Sequence, residues 1–135
     1  QIPAHYVQSM AVVYDYGLKV TYINGYLSAA PNNNEYFFII VFAGTDSSVS
    51  SDPQRYLIAK INSTSERTFS VEMPEIEMIN AGLNKGSKVF FRSYGCTASA
   101  YGSPEGGTYV DPETGRTVYT ALSQESSPVI RMTLP

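Results

Sequence analysis

Few side chains in this 135-residue chain are equipped for covalent or acid–base chemistry: one histidine, His5, one cysteine, Cys96, and twelve carboxylates. A nucleophile needs a base beside it, a zinc ion needs several clustered thiolate or imidazole donors, and a hydrolytic pair needs two acids across a cleft. His5 lies near the start of the chain, so a Ser-His arrangement requires that segment to fold back across the protein; a surface histidine is the simpler reading. Cys96 follows an apolar run and has no second histidine to activate it, which makes it a buried small hydrophobe. One cysteine and one histidine exclude an internal disulfide and a zinc site. Glu75 and Glu77 are two apart, which on a strand puts both carboxylates on one face, as a glycosidase would require; a solvated strand face beside Ile76 and Met78 competes with that reading. Asp46, Asp52 and the hydroxyls of Gly44-Thr45-Asp46-Ser47-Ser48 offer oxygen ligands for calcium, but match no defined loop and lack a bidentate glutamate. Gly102, Gly106 and Gly107 do not open a helix, so no phosphate cradle forms. From these residues we expect no catalytic residue, no metal ligand set and no cofactor.

The remaining chemistry is recognition. Tyr101, Tyr109, Arg116 and Tyr119 cluster late in the chain, and tyrosine with arginine can stack on a sugar ring or anchor a protein interface. The competing reading is that these side chains pack an inserted segment against the edge of the fold, with Tyr109 and Tyr119 as cross-strand partners.

The elements that must position these residues are strands. Gly, Pro, Asn, Ser and Thr interrupt every helical window, while β-branched and aromatic residues fill the apolar runs. A first strand is expected within Val7 to Tyr16, with Val7, Ser9, Ala11 and Val13 on one face and Gln8, Met10, Val12 and Tyr14 on the other. A second is expected from Leu18 to Leu27, with Leu18, Val20 and Tyr22 on one face and a bulge or bend at Asn24-Gly25. Tyr36 to Phe42 is apolar at every position, the mark of a central strand covered on both faces. Arg55 to Ile61 and Arg67 to Met73 follow, the latter with Phe69, Val71 and Met73 facing one way, and Pro74 stops it. Glu75 to Ala81 reads as a short strand or irregular crossover. Val89 to Tyr94 and Val129 to Leu134 complete the set. Between them, Cys96 to Ser127 is too long for a structureless connection. Within it, Asp111-Pro112-Glu113-Thr114-Gly115 is a turn between two β-prone triplets, so Thr108 to Tyr119 is a hairpin, within an insert of about 103–122. The sum is one domain over residues 1–135, an all-β antiparallel sandwich of seven to eight strands with a β-hairpin before the last strand.

The stretch Gly82-Leu83-Asn84-Lys85-Gly86-Ser87-Lys88-Val89-Phe90-Phe91-Arg92-Ser93-Tyr94-Gly95 resembles the corner and following strand of fibronectin type III-like, immunoglobulin-like domains. Ala98-Ser99-Ala100-Tyr101-Gly102 and the Ser-rich Ser123-Gln124-Glu125-Ser126-Ser127-Pro128-Val129 are similar to the variant found in bacterial surface proteins. The family's second-strand tryptophan falls on Tyr22. The resemblance implies a non-catalytic module for adhesion, surface assembly or spacing, which presents end loops and the hairpin to a protein or glycan partner at the cell surface. A carbohydrate-binding module, with a tyrosine platform in place of tryptophan, is the alternative, and solvent-exposed tyrosines in a row would distinguish it. A small hydrolase that uses carboxylates is the remote third.

Net charge is −3, the pI is near 5.0, and the nine basic residues are scattered, so no basic stripe is present to neutralise a nucleic-acid backbone. No apolar stretch approaches the length of a membrane-spanning helix, so no direct membrane insertion is expected. Eleven tyrosines, no tryptophan and a surface rich in Ser and Thr point to an extracytoplasmic setting, and Gln1 in place of an initiator methionine fits a removed signal peptide as well as an internal starting point. The oligomeric state is not encoded in any pattern of these residues.

Overall fold

The computed structural model describes residues 2–97 and 108–135. Tyr101 and the glycines Gly102, Gly106 and Gly107 lie outside them. The elements run β1 (Val7–Asp15), β2 (Val20–Leu27), β3 (Phe37–Gly44), β4 (Ile58–Thr64), β5 (Thr68–Pro74), α1 (Glu75–Asn80), β6 (Lys88–Cys96), β7 (Thr108–Val110), β8 (Thr117–Tyr119), β9 (Leu122–Ser126) and β10 (Ile130–Thr133). Two antiparallel sheets pack as a sandwich. The smaller has the order β1-β2-β5; the larger has β10-β6-β3-β4, with β9 also paired to β6. The hairpin β7-β8 stands apart from both. The all-β sandwich with a late hairpin is the architecture expected from the sequence.

The long apolar run becomes β3, between β4 and β6, and its two faces are covered by different things. Ile39, Val41 and Ala43 enter the core between the sheets with Ile23, Val71, Met73 and Phe91. Ile40 and Phe42 point to the outside of the larger sheet, where Val49, Tyr56 and Cys96 join them in a second buried cluster. That cluster exists because the loop 45–57 and the hairpin fold over this face. Among the described residues none covers the outer face of the smaller sheet in this way, and Val13 and Tyr26 there are each 54% exposed.

Several expectations are corrected in detail. A bulge between Val7 and Ser9 resets the alternation of β1, so that Val7, Met10, Val12 and Tyr14 all reach the core while Ser9, Ala11 and Val13 face solvent. Leu18 belongs to the turn before β2 and is exposed; Asp15 accepts its backbone N–H there, and Lys19 takes a positive φ of 55°. The inward residues of β2 are therefore Thr21 and Ile23, and the Thr21 hydroxyl donates to the sulfurs of Met78 and Met132 at 3.8 Å. Tyr22 is consequently not the core aromatic that the resemblance implies; Ile23, fully buried, holds the core beside it. The register runs unbroken through Asn24-Gly25, so there is no bulge. Gly25 is required by close approach: a Cβ there would collide with the Ser9 carbonyl and the Phe69 ring, 2.7 Å away.

The fourth strand begins at Ile58 rather than Arg55, because residues 52–57 are held in the loop by Arg55 N–H to the Asp52 carbonyl and Leu57 N–H to the Ala43 carbonyl. Glu75–Asn80 is a helix, not a strand or irregular crossover. Pro74 sets its entry at φ −60°, Gly82 at φ +108° ends it, and Leu83 N–H returns to the Met78 carbonyl, burying Met78 and Leu83 together. The connection before the last strand supplies one more strand, β9. β9 and β10 pair with successive halves of β6, and between them Pro128 has no N–H for the ladder while Ser127 bridges the gap with hydrogen bonds to Ser93 through backbone and hydroxyl.

Candidate functional site

The hairpin turn is built as its sequence requires. The Asp111 carboxylate accepts the Thr114 hydroxyl at 2.7 Å and its N–H at 3.1 Å, Gly115 takes φ +73°, and Asp111 and Arg116 close the turn at 2.8 Å. Thr108 pairs with Tyr119 and Tyr109 with Val118, so the two tyrosines are not cross-strand partners. They face different surroundings. Tyr119 is turned onto the larger sheet, with its ring 5.7 Å from that of Phe42. Arg116 donates to the Pro53 carbonyl at 2.8 Å, the Tyr56 hydroxyl donates to the Thr117 carbonyl, and Gln54 donates to Glu113 at 3.1 Å. Burial pushes Tyr56 up to about 12 and raises Tyr119 as well. Arg116 and Tyr119 thus fasten the hairpin to the loop 45–57 and β3. Tyr109 and Val110 remain outside, 60% and 64% exposed.

The chemistry-bearing residues are all engaged in holding the fold. His5 is buried rather than on the surface: its ring stacks on Phe37 at 4.0 Å and 5°, and Nε2 lies 2.8 Å from the Phe38 carbonyl. Burial holds its pKa below the ordinary value. Cys96 is fully buried, and desolvation pushes its thiol up to about 12. Because residues 75–80 are helical, Glu75 and Glu77 do not share a face as a strand would place them. Glu75 turns inward, where it accepts the Tyr14 hydroxyl at 2.6 Å with Lys85 3.7 Å away, while Glu77 pairs with Lys60 at 2.7 Å. Asp46 is occupied by the backbone N–H and hydroxyl of Ser48. Among the described residues no group of three or more His, Cys, Asp or Glu could hold a metal ion.

The Tyr14 hydroxyl, and after it Lys85 and Lys19, hold the Glu75 carboxyl below its ordinary 4.5, and the carboxylate in turn raises Tyr14 to about 12. A depressed carboxylate contributes stability that is present above its unfolded pKa and lost as pH falls through the folded one. Tyr14→Phe is therefore expected to lower the melting temperature at pH 7 and to flatten its decline between pH 5 and 3. An unchanged pH profile in that variant would show that the hydrogen bond does not set the titration.

A second surface was not found from the sequence. On the outer face of the smaller sheet, β2 presents Tyr22, Asn24 and Tyr26 in alternation. Val13 and Ala11 of β1 lie opposite Tyr22 and Asn24, and Glu72, Ser70 and Thr68 of β5 lie on the other side. The signal was present as Tyr-x-Asn-x-Tyr at strand period. Alternation with Leu18 and Val20 hides it, because in sequence it places Tyr22 on an apolar face.

Fold and surfaces together define an antiparallel β-sandwich whose described residues cover one outer face and leave the other open. No known family profile matches the chain, and no curated protein matches it. In structure it is similar, with a TM-score of 0.55 and 19% identity, to a protein of Bacteroides uniformis ATCC 8492 provisionally named a carbohydrate binding protein. The superposition takes in 98% of this chain and 58% of that one, so the chain spans little more than half the length of the protein it resembles.

Proposed function

We propose that this chain is a single non-catalytic binding module acting outside the cytoplasm, of the fibronectin type III-like, immunoglobulin-like kind found in bacterial surface proteins. Its role is to present end loops and the hairpin to a protein or glycan partner. The observation that carries this reading is the state of the hairpin: Arg116, Thr117 and Tyr119 lock it to the sandwich while Tyr109 and Val110 stay open to solvent. A rigid aromatic tip loses little conformational entropy when it binds. No helix among the described residues is long and apolar enough to cross a membrane.

The carbohydrate-binding alternative has its own support in Tyr22 and Tyr26, a row of tyrosines on an open sheet face, and in the name of the structural neighbour. Tyr109→Ala is expected to leave stability within about 0.5 kcal/mol of the parent, as for other exposed substitutions. If the hairpin is the recognition element, the same variant abolishes capture of the partner on a glycan array or from envelope protein extracts. Full retention of binding in the variant would remove the hairpin from the site.

A further inference from the structure

We propose that the outer face of the β1-β2-β5 sheet carries a second site, a dish for a neutral pyranose beside Tyr26; the inference rests on the carbohydrate-binding reading and gives it a location. A depression of about 390 Å³ opens there, lined by the outward side chains of Ser9, Ala11, Asn24, Tyr26 and Thr68 over the bare backbone of Gly25. Its shape follows from the sequence. The bulge after Val7 turns Ser9 and Ala11 outward, and these two small residues sit across from Asn24 and Tyr26, leaving a dip against a tall aromatic wall. Gly25 adds no side chain, because the Phe69 ring fills the space on the core side.

The wall is held in place. Arg67 lies over the Tyr26 ring at 6.0 Å, and its guanidinium is itself pinned to the Leu27 carbonyl at 2.8 Å and to the Gln8 amide oxygen at 2.7 Å. Tyr26 is thus an exposed aromatic fixed before any ligand arrives, which lowers the ordering cost of binding.

The lining specifies the ligand class by its charge. Two hydroxyls and an amide share a mostly apolar lining with the Tyr26 ring, the Ala11 methyl, Met10 and Phe69, and no carboxylate or ammonium is among them. The Arg67 guanidinium beside the ring is bonded to Leu27 and Gln8 and is not among the residues that line the dip, so a charged ligand would give up hydration there for little counter-charge. A neutral pyranose meets both halves of the surface: its C–H face packs on the ring, and its hydroxyls exchange donors and acceptors with Ser9, Asn24 and Thr68. Tyr22, four residues along the strand and so roughly 13 Å away, extends the surface in the direction a short oligosaccharide would run.

The test is a calorimetric titration of the parent chain and of Tyr26→Ala, Ala11→Gln and Tyr109→Ala with neutral glucan, mannan and galactan oligosaccharides and with oligogalacturonate. Circular dichroism confirms that each variant is folded. Both Tyr26 and Ala11 are exposed, and Ala11→Gln fills the dip while leaving Tyr26 itself unaltered. The expected result is saturable binding of one neutral series by the parent, a loss of about tenfold or more in Tyr26→Ala and Ala11→Gln that exceeds any loss in Tyr109→Ala, and weaker binding of oligogalacturonate. Loss in Tyr109→Ala alone would overturn the dish and leave sugar recognition at the hairpin. Binding of oligogalacturonate in preference to neutral sugars would overturn the ligand class, and no sugar bound by the parent would overturn the dish and the carbohydrate-binding reading together, with the protein-partner reading left standing.

Discussion

Phe42→Ala is expected to cost about 4 kcal/mol of folding stability, the upper part of the range for truncating a buried aromatic. The side chain is fully buried, and the rings of Tyr56, Tyr94 and Tyr119 surround it at 4.8, 5.6 and 5.7 Å. Truncation removes the transferred area, leaves a cavity and cancels three aromatic contacts worth about 0.5–1.5 kcal/mol each. Native stability is only about 5–15 kcal/mol, so the variant retains a fraction of it. The loss has a local signature as well. Phe42 is what Tyr119 rests on, so amide exchange in β7 and β8 is expected to accelerate more than in β2 and β5. Urea denaturation followed by tyrosine fluorescence reads the first effect and hydrogen exchange the second. A loss below about 1.5 kcal/mol would mean that the second buried cluster is not what holds the hairpin.

Gly95→Ala is expected to cost about 2 kcal/mol, as overpacking typically does. A Cβ at that position would run into the His5 backbone carbonyl and come within 2.7 Å of the imidazole Cδ2. The N-terminal segment would have to lift, breaking the stack on Phe37 and the contact with the Phe38 carbonyl. The histidine reports the change. In the parent, burial holds it below 6.5, so the fold favours the neutral imidazole; that preference costs nothing above the unfolded pKa and destabilises the protein as pH falls below it. In the variant the imidazole is expected to titrate near its ordinary value, with a shallower loss of stability between pH 7 and 5. An NMR titration that finds His5 still depressed in a variant of parental stability would contradict this packing.

The pattern of apolar residues was legible wherever it followed a single period. Phe69, Val71 and Met73 alternate in the sequence and alternate in burial. The apolar run from Phe37 to Phe42 is covered on both sides, while Tyr36 before it lies outside β3 and stays exposed, and Asp111 to Gly115 makes the turn its residue types demand. What was not legible depended on contacts from outside the local window. The bulge after Val7 is decided by pairing with β2, and it reverses the faces of β1. The helix at 75–80 carries no side-chain cap; its ends are set by Pro74, by Gly82 and by a hydrogen bond from Glu75 N–H to the Lys19 carbonyl, 56 positions earlier in the chain. Nothing near His5 in sequence reveals that Phe37 and Gly95 enclose it. The same limit applied to the sites. Tyr109, Arg116 and Tyr119 were identified as a group, but the division between an anchoring pair and an open tip is set by Pro53 and Phe42. Nothing near Tyr26 in sequence reveals its partners, Arg67 from the turn before β5 and Ser9 from β1.

The most direct test of the whole reading is an NMR titration of the isotope-labelled chain with the tightest-binding oligosaccharide from a glycan array, with the sugar's own anomeric signals followed in the same tube. Binding without chemistry predicts saturable shifts confined to β1, β2 and β5 around Tyr26 or to the hairpin around Tyr109, and a sugar that stays intact over days. New reducing ends appearing with time, accompanied by shifts around Glu75 and Glu77, would contradict it and make the chain a hydrolase.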